Sequence, residues 1–254
     1  MFKEQNRIWW YMLGMVILLA LLVVFARDYV LPIVGGKKDI FELEPYVYTV
    51  APNFQIDLSR DYYADVRTNF GIVTLDLFEK AAPVNVNNLN FLANRGYYDG
   101  TKFHRLFPDF LIQGGDRNTL DEDPINDGRG GPGYFVNDEI NWDSLKLDEA
   151  KRQELIDRGY SSEPGLESQP LLPYTMAMAS SLPDTNGSQF FFVLAGPNDP
   201  RLDIFNGYFT VVGKVISGAD VLERMRQIPV DDPNSPNPRP TQDVVIERMT
   251  VYAR

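Results

Sequence analysis

A mainly-β domain curled into a barrel and capped by helices, with one membrane-spanning helix ahead of it, is the architecture predicted by three features of this 254-residue chain. Residues 8–26 form an apolar run that contains no charge. Residues 64–78 alternate apolar and polar side chains on both sides of a turn, the mark of a β-hairpin. Beyond them the helical periodicities are few and short, while short strand-like runs recur to the end of the chain.

Composition removes several function classes. With 44% hydrophobic and 23% charged residues, the chain falls in the range of ordinary globular proteins, so a disordered, fibrous or multi-span protein is excluded. A net charge of −11 argues against a nucleic-acid partner, because phosphate binding needs a basic face. The absence of cysteine excludes disulfides, thiol catalysis, thiolate zinc sites and cysteine-linked lipids. One histidine, His104, cannot by itself build a histidine-based metal site.

The run IWWYMLGMVILLALLVVFA (8–26) is long enough to cross a hydrocarbon core of about 30 Å at about 1.5 Å per helical residue. Trp9, Trp10 and Tyr11 open it, where an aromatic belt meets headgroups. It exceeds the about 7–15 residues of a secretory signal core, which favours an uncleaved anchor. Val24-Phe25-Ala26 is an acceptable cleavage site, and secretion after cutting near Ala26 is the alternative. Lys3 and Arg7 on one flank and Arg27, Lys37 and Lys38 on the other leave the orientation undecided by charge. The short N-terminal tail is expected in the cytoplasm, with the body of the chain outside it. This divides the chain into a tail and anchor (1–27), a Pro- and Gly-containing approach segment (28–62) and a folded domain (63–254). Phe41, Tyr46, Tyr48 and Phe54 suggest that part of the approach segment lies on the domain. An acidic domain stands off an anionic lipid surface.

Within the domain, 64–70 and 72–78 form the predicted hairpin. Residues 83–94 read as a helix, with Pro83 in its first turn, Val86, Leu89, Phe91, Leu92 and Ala93 on its apolar side, and Gly96 beyond its end. Short strands are expected at 102–107 and 110–113, then a Gly-, Asp- and Asn-rich loop over 114–138. Residues 142–160 are charged and helix-prone. Strands are predicted near 175–180, 189–194 and 209–216, a helix over 219–228, a Pro-rich loop over 229–240 and a last strand over 244–252.

Three patterns in these loops mislead. Gly128-Arg129-Gly130-Gly131-Pro132-Gly133 satisfies GxGxxG but is neither preceded by a strand nor followed by a helix, so no dinucleotide site is expected. Asp121, Glu122, Asp123 and Asp127 lack the spacing of a calcium loop, and Pro124 interrupts them. Asn186-Gly187-Ser188 matches the glycosylation pattern inside a segment that carries another signature.

That signature comes in two blocks. Phe103-His104-Arg105-Leu106-Phe107-Pro108-Asp109-Phe110-Leu111-Ile112-Gln113-Gly114-Gly115-Asp116 resembles the FHR…PxFxxQGGD segment of cyclophilin-type peptidyl-prolyl isomerases. Thr185-Asn186-Gly187-Ser188-Gln189-Phe190-Phe191 resembles their NGSQFF segment, with Met178-Ala179-Ser180 ahead of it at the family's MAN-type edge. Gly130-Gly131-Pro132-Gly133-Tyr134 resembles a glycine loop of bacterial-type members, and Gly213-Lys214-Val215 a late strand. The resemblance runs in order from about residue 63 to 254. It implies an eight-stranded antiparallel barrel capped by two helices. It also implies cis/trans isomerisation of the bond before proline in loosely folded polypeptides, with no cofactor and no covalent intermediate. Carried over residue by residue, Arg105 takes the place of the catalytic arginine. Gln113 and Gln189 fall at polar positions that orient substrate, with Gln113 counted among the catalytic pair. Phe110, Leu111 and Phe191 line the proline pocket, and Ala179 and Ser180 form the edge along which the peptide lies. Taken singly, the aromatics would read as core and Arg105 as a surface ion-pairing residue; the ordered motifs carry the functional reading.

Two departures bear on it. Counted back from Gly213, Ile204 stands at the family's pocket Trp, Phe205 at the following Leu and Phe209 at a His. The pocket stays apolar, but weak binding of cyclosporin-like inhibitors is expected, and a non-catalytic proline-peptide module or membrane-tethered scaffold is the competing reading. In addition, residues 141–173 exceed the usual family link. They read as a surface insertion, with a partner- or substrate-gating element as the alternative.

Overall fold

A computed structural model describes residues 46–254. The expected anchor, its membrane contact through residues 8–26 and the approach segment up to residue 45 lie outside the described residues. Among the described residues no helix is long and apolar enough to cross a membrane.

The alternating segments pair as read. Strand β1 (Tyr62–Thr68) and strand β2 (Gly71–Leu77) form an antiparallel hairpin with Tyr63 opposite Asp76 and Thr68 opposite Gly71. Thr68 closes the turn: its Oγ1 donates to the Gly71 carbonyl at 2.8 Å and accepts from the Phe70 N–H at 3.1 Å. Gly71 has φ +133°, and a Cβ there would lie 2.9 Å from Val221 Cγ2, so both conformation and packing call for glycine. Ala64, Val66, Val73, Leu75 and Leu77 point inward with period two and are buried.

Helix α1 (Pro83–Asn94) follows with the expected bounds. Its first residues have no local side-chain cap. The buried Glu139 carboxylate supplies it from 54 residues away, accepting from the Val84 N–H at 2.9 Å and the Asn85 N–H at 2.8 Å. An anion at this end satisfies two orphan amides and meets the positive end of the helix dipole.

The remaining strands are β3 (Arg105–Phe107), β4 (Leu111–Gly114), β5 (Thr175–Met178), β6 (Phe190–Val193), β7 (Val211–Ser217) and β8 (Ile246–Ala253). All eight lie in one sheet of order β3-β4-β6-β5-β7-β2-β1-β8, with every pair antiparallel. The sheet curls into a half-barrel rather than a fully laddered barrel, since β3 and β8 do not pair strand to strand. Main-chain bonds at the approach to β3 stitch that seam: Gly100 N to Ile246 O at 2.8 Å, Ile246 N to Thr101 O at 2.7 Å, and Phe103 N to Val244 O at 2.9 Å. Helix α1 packs on β8, and helix α4 (Ala219–Met225) packs on β2. The interior holds Leu75, Leu89, Phe103, Leu106, Ile112, Phe190 and Phe192, all fully buried.

Three expectations change. The helix read over 142–160 shrinks to α2 (Glu149–Asp157), because Lys146 takes a left-handed backbone (φ +55°) and Asp148 starts a new helix by accepting from the Lys151 N–H at 2.8 Å. A short helix, α3 (Pro200–Phe205), forms where no element was predicted; Asp199 caps it through the Arg201 N–H at 2.9 Å and Pro200 begins it. Finally, the compact unit starts at Val47, ahead of the expected start at Tyr63. Asn87 on α1 holds this approach: its Oδ1 accepts from Gln55 N at 2.7 Å, and its Nδ2 donates to the Asn53 carbonyl at 3.1 Å. Tyr48 packs edge-on against Phe91 at 5.0 Å and donates its N–H to the Pro132 carbonyl at 2.7 Å.

Candidate active site

Strand periodicity places the site. On β6, Phe190 and Phe192 enter the core, so Phe191 must face the opposite way. The register then lines up one rung across four strands: Arg105 opposite Gln113, Gln113 opposite Phe191, and Phe191 opposite Ala177. A charged group, an amide and an aromatic ring thus share one face of the sheet.

A cavity of about 530 Å³ opens over this face. Arg105, Leu111, Gln113, Ala179, Ser180, Gln189, Phe191 and Phe209 all line it. Eight of the ten residues singled out from the sequence therefore converge on one cavity. The other two, Phe110 and Phe205, pack on each other with ring centroids 5.5 Å apart and join the cluster behind the apolar wall without lining the cavity. The Arg201 guanidinium covers the Phe110 ring at 4.5 Å.

A string of polar side chains orders one wall. Arg105 Nη1 donates to Gln113 Oε1 at 3.1 Å, Gln113 Nε2 donates to Gln189 Oε1 at 2.9 Å, and Gln189 Nε2 donates to the Gly130 carbonyl at 2.9 Å. Arg105 Nη2 donates to the Pro236 carbonyl at 3.0 Å, and its guanidinium lies 4.7 Å over the Phe107 ring. No carboxylate among the described residues pairs with Arg105. Burial lowers its pKa from the ordinary arginine value, which is high enough that the guanidinium stays charged at neutral pH. Beside this string the lining is apolar: Phe191 meets Phe209 edge-to-face at 5.2 Å, with Leu111 next to them.

Residues that the sequence reading set aside complete the cavity. Gly128, Arg129, Gly130 and Gly131, a false dinucleotide loop by pattern, form its rim with Phe135, Leu182 and Thr185. Asp116, the last residue of the first motif, holds that rim. Fully buried, its carboxylate accepts from Asn118 N at 2.8 Å, Gly128 N at 2.6 Å and Gly130 N at 3.1 Å. The signal was present in the chain as an acid closing a motif ahead of a glycine-rich stretch, but the pairing across twelve residues was not. His104, beside Arg105, is buried, and burial pushes its pKa down to about 4. It is therefore neutral at physiological pH. Among the described residues no group of histidines and carboxylates is placed to hold a metal ion.

The comparisons with known proteins agree with this geometry. The family model "Cyclophilin type peptidyl-prolyl cis-trans isomerase/CLD" matches residues 63–251. A peptidyl-prolyl cis-trans isomerase-like 1 from Neurospora crassa is 37% identical over 73% of this chain and 91% of its own length. The Homo sapiens protein of the same name is 36% identical over 71% and 87%. A peptidyl-prolyl cis-trans isomerase-like 2 from Cryptococcus neoformans is 33% identical over 87% of this chain, which spans only 33% of that relative. A crystal structure of a Cryptosporidium parvum cyclophilin type peptidyl-prolyl cis-trans isomerase superposes with a TM-score of 0.55 at 27% identity, covering 76% of this chain and 99% of that one. These relatives are eukaryotic, and the bacterial-type reading of the glycine loop gains no support from them. With the motifs in order, the eight-stranded sheet in place and the family model spanning nearly all of the compact unit, this chain belongs to the cyclophilin-type peptidyl-prolyl cis-trans isomerase family.

Proposed function

We propose that this chain catalyses cis/trans isomerisation of X-Pro bonds in loosely folded polypeptides, with Arg105 as its central catalytic residue. The observation that carries the reading is a guanidinium held by hydrogen bonds, with no carboxylate partner among the described residues, beside an apolar lining in one cavity. The amide barrier arises from resonance and amounts to about 18–20 kcal/mol. X-Pro isomers are nearly balanced, yet interconvert over tens to hundreds of seconds. No bond is made or broken to another group, so no nucleophile is needed. As the amide twists, its nitrogen becomes pyramidal and exposes a lone pair. Arg105 can donate to that lone pair, which the planar ground state does not offer, so the contact selectively lowers the barrier. Phe191, Leu111 and Phe209 seat the proline ring and exclude water, which strengthens the guanidinium's interaction. Gln113 sets the direction of the guanidinium, and Gln189 holds Gln113.

The chain works, on this reading, as a folding helper tethered by residues 8–26, with the domain outside the cytoplasm. The uncharged apolar run supports the tether. Tethering raises the local concentration of the site near emerging chains. Finding Met1-containing protein in the membrane fraction is the expected outcome; a soluble chain that begins at Arg27 would replace the anchor with a cleaved signal.

The central test measures isomerisation of an Ala-Ala-Pro-Phe tetrapeptide by the full-length chain and by Arg105→Ala. A rate that collapses in the variant while peptide binding persists supports the enzyme. A folded parent that binds the peptide without accelerating isomerisation establishes the non-catalytic binding module instead.

A further inference from the structure

The proline wall is supported from outside the groove. Ile140, Trp142, Leu155 and Tyr208 form a second apolar cluster, to which the 141–173 segment contributes Trp142 and Leu155. Phe205 and Phe209 pack against this cluster and also against the pocket cluster of Leu111, Ala177, Phe191 and Val211. The two rings are thus shared between the insertion and the cavity, and their centroids lie 6.1 Å apart.

Between them, the loop fits closely against α2. Gly207 has φ +90°, and a Cβ there would lie 2.7 Å from Leu155 Cδ1 and 2.8 Å from Leu147 Cδ1. The positive φ favours glycine, and a side chain there would have to push aside the ends of Leu155 and Leu147. Polar bonds pin both sides of Gly207. Lys151 Nζ donates to the Ile204 carbonyl at 2.6 Å and lies 4.5 Å over the Tyr208 ring. Tyr208 Oη donates to Glu154 Oε1 at 2.7 Å, and Asn206 Oδ1 accepts from Leu171 N at 2.7 Å. The Glu154 carboxyl is held below the usual carboxylate range, first by the Tyr208 hydroxyl and then by Lys151, so it remains an acceptor at neutral pH.

We propose that Lys151, Glu154 and Leu155 of the insertion are positioning residues for Phe209, so that α2 sets the proline affinity of the cavity from behind its apolar wall. This rests on the proline-pocket reading above. None of the three touches the cavity, and each acts through the loop that carries Phe209. The other wall, with its Arg105–Gln113–Gln189 string, has no bond to α2. Loosening the loop therefore weakens ground-state and transition-state binding alike, the pattern that raises KM and spares kcat.

The test uses the full-length chain with Lys151→Met, Glu154→Ala and Glu154→Gln. The first two are expected to raise KM for Ala-Ala-Pro-Phe about fivefold each, as expected for losing a hydrogen bond that positions the wall, with kcat within about twofold. Glu154→Gln keeps an acceptor for Tyr208 Oη and restores KM. The Phe209 ring resonances, followed by NMR, shift in Glu154→Ala and return in Glu154→Gln. Unchanged KM and unchanged Phe209 resonances in folded Lys151→Met and Glu154→Ala would overturn the proposal. So would a parallel fall in kcat, because the effect would then reach the Arg105 wall. Were the parent to show no isomerisation, the enzyme reading would fall separately; tetrapeptide affinity and the Phe209 resonances of the same variants would still decide the positioning role.

Discussion

The two walls of the cavity are built in opposite ways. The Arg105 wall comes from two short sequence blocks on neighbouring strands, and a string of side-chain hydrogen bonds orders it. The apolar wall is completed by Phe209 from a loop outside the sheet, held by an insertion that reaches it only through tertiary packing. The first wall carries charge and direction; the second carries shape. On the proposed reading, proline affinity can vary on one side while the bond-twisting chemistry on the other stays intact.

The largest effect should come from the charged wall. Arg105→Ala is expected to lower kcat by about 10²–10³-fold, the range for removing one donor aimed at a developing charge, with KM changed by a few-fold at most. A steady-state assay checks it. A loss confined to KM would merge the two walls into one binding surface and break the contrast.

Next is the rim. Asp116→Ala removes the shared acceptor of three partly buried backbone N–H groups and should cost about 3 kcal/mol of stability. Denaturant melts measure the cost, and faster amide exchange at Gly128 and Gly130 localises it. Asp116→Asn retains an acceptor and should lose less.

Two buried titratable groups act on stability with opposite sign. Beside Arg105, His104 has its pKa pushed by burial from about 6.5 to about 4. Its contribution is present above pH 6.5 and is lost as pH falls through about 4. Next to the second motif, burial raises the Asp138 pKa to about 6, against bonds from Asp184 N at 2.8 Å and Asn186 Nδ2 at 3.0 Å. Its contribution is present below about pH 3.9 and is lost as pH rises through about 6. Each is worth on the order of 2–3 kcal/mol. His104→Phe should therefore gain stability relative to the parent as pH falls from 6.5 to 4, and Asp138→Asn should lose it over 6 to 4. Urea midpoints at stepped pH read both; parallel curves for parent and variants would show that neither group titrates differently on folding.

The smallest effect belongs to the apolar wall. Phe209→Ala should raise KM about tenfold, in keeping with the loss of part of a buried aromatic contact, and leave kcat nearly unchanged. This sets the ceiling for the α2 variants, which act on the same ring at one remove.

Much of this was legible in the chain. The hairpin, α1 and the order of the strands follow from period-two and helical patterns, because those periods come from local backbone geometry. Arg105, Gln113, Gln189 and Phe191 were legible because they sit inside contiguous motifs, three of them on short strands and Gln189 just ahead of β6. Helix α3 escaped notice: six residues give too little periodicity, although Asp199-Pro200 is a start signal. The late start of the helix read over 142–160 was hidden as well, since the left-handed backbone at Lys146 breaks the segment before Asp148 caps the helix.

The sequence alone was enough for the mainly-β class of fold, the order of its strands and the residues of the charged wall. All of these depend on neighbours along the chain or on motifs a few residues long. Packing had to choose which face of β6 turns to the cavity, that Phe110 and Phe205 stack behind the cavity, that Asp116 holds the glycine rim and that Glu139 caps α1. It also joined α2 to the Phe209 loop across about fifty residues. Such contacts depend on how curled sheet, loop and helix meet in space, and no local period in the chain records that meeting.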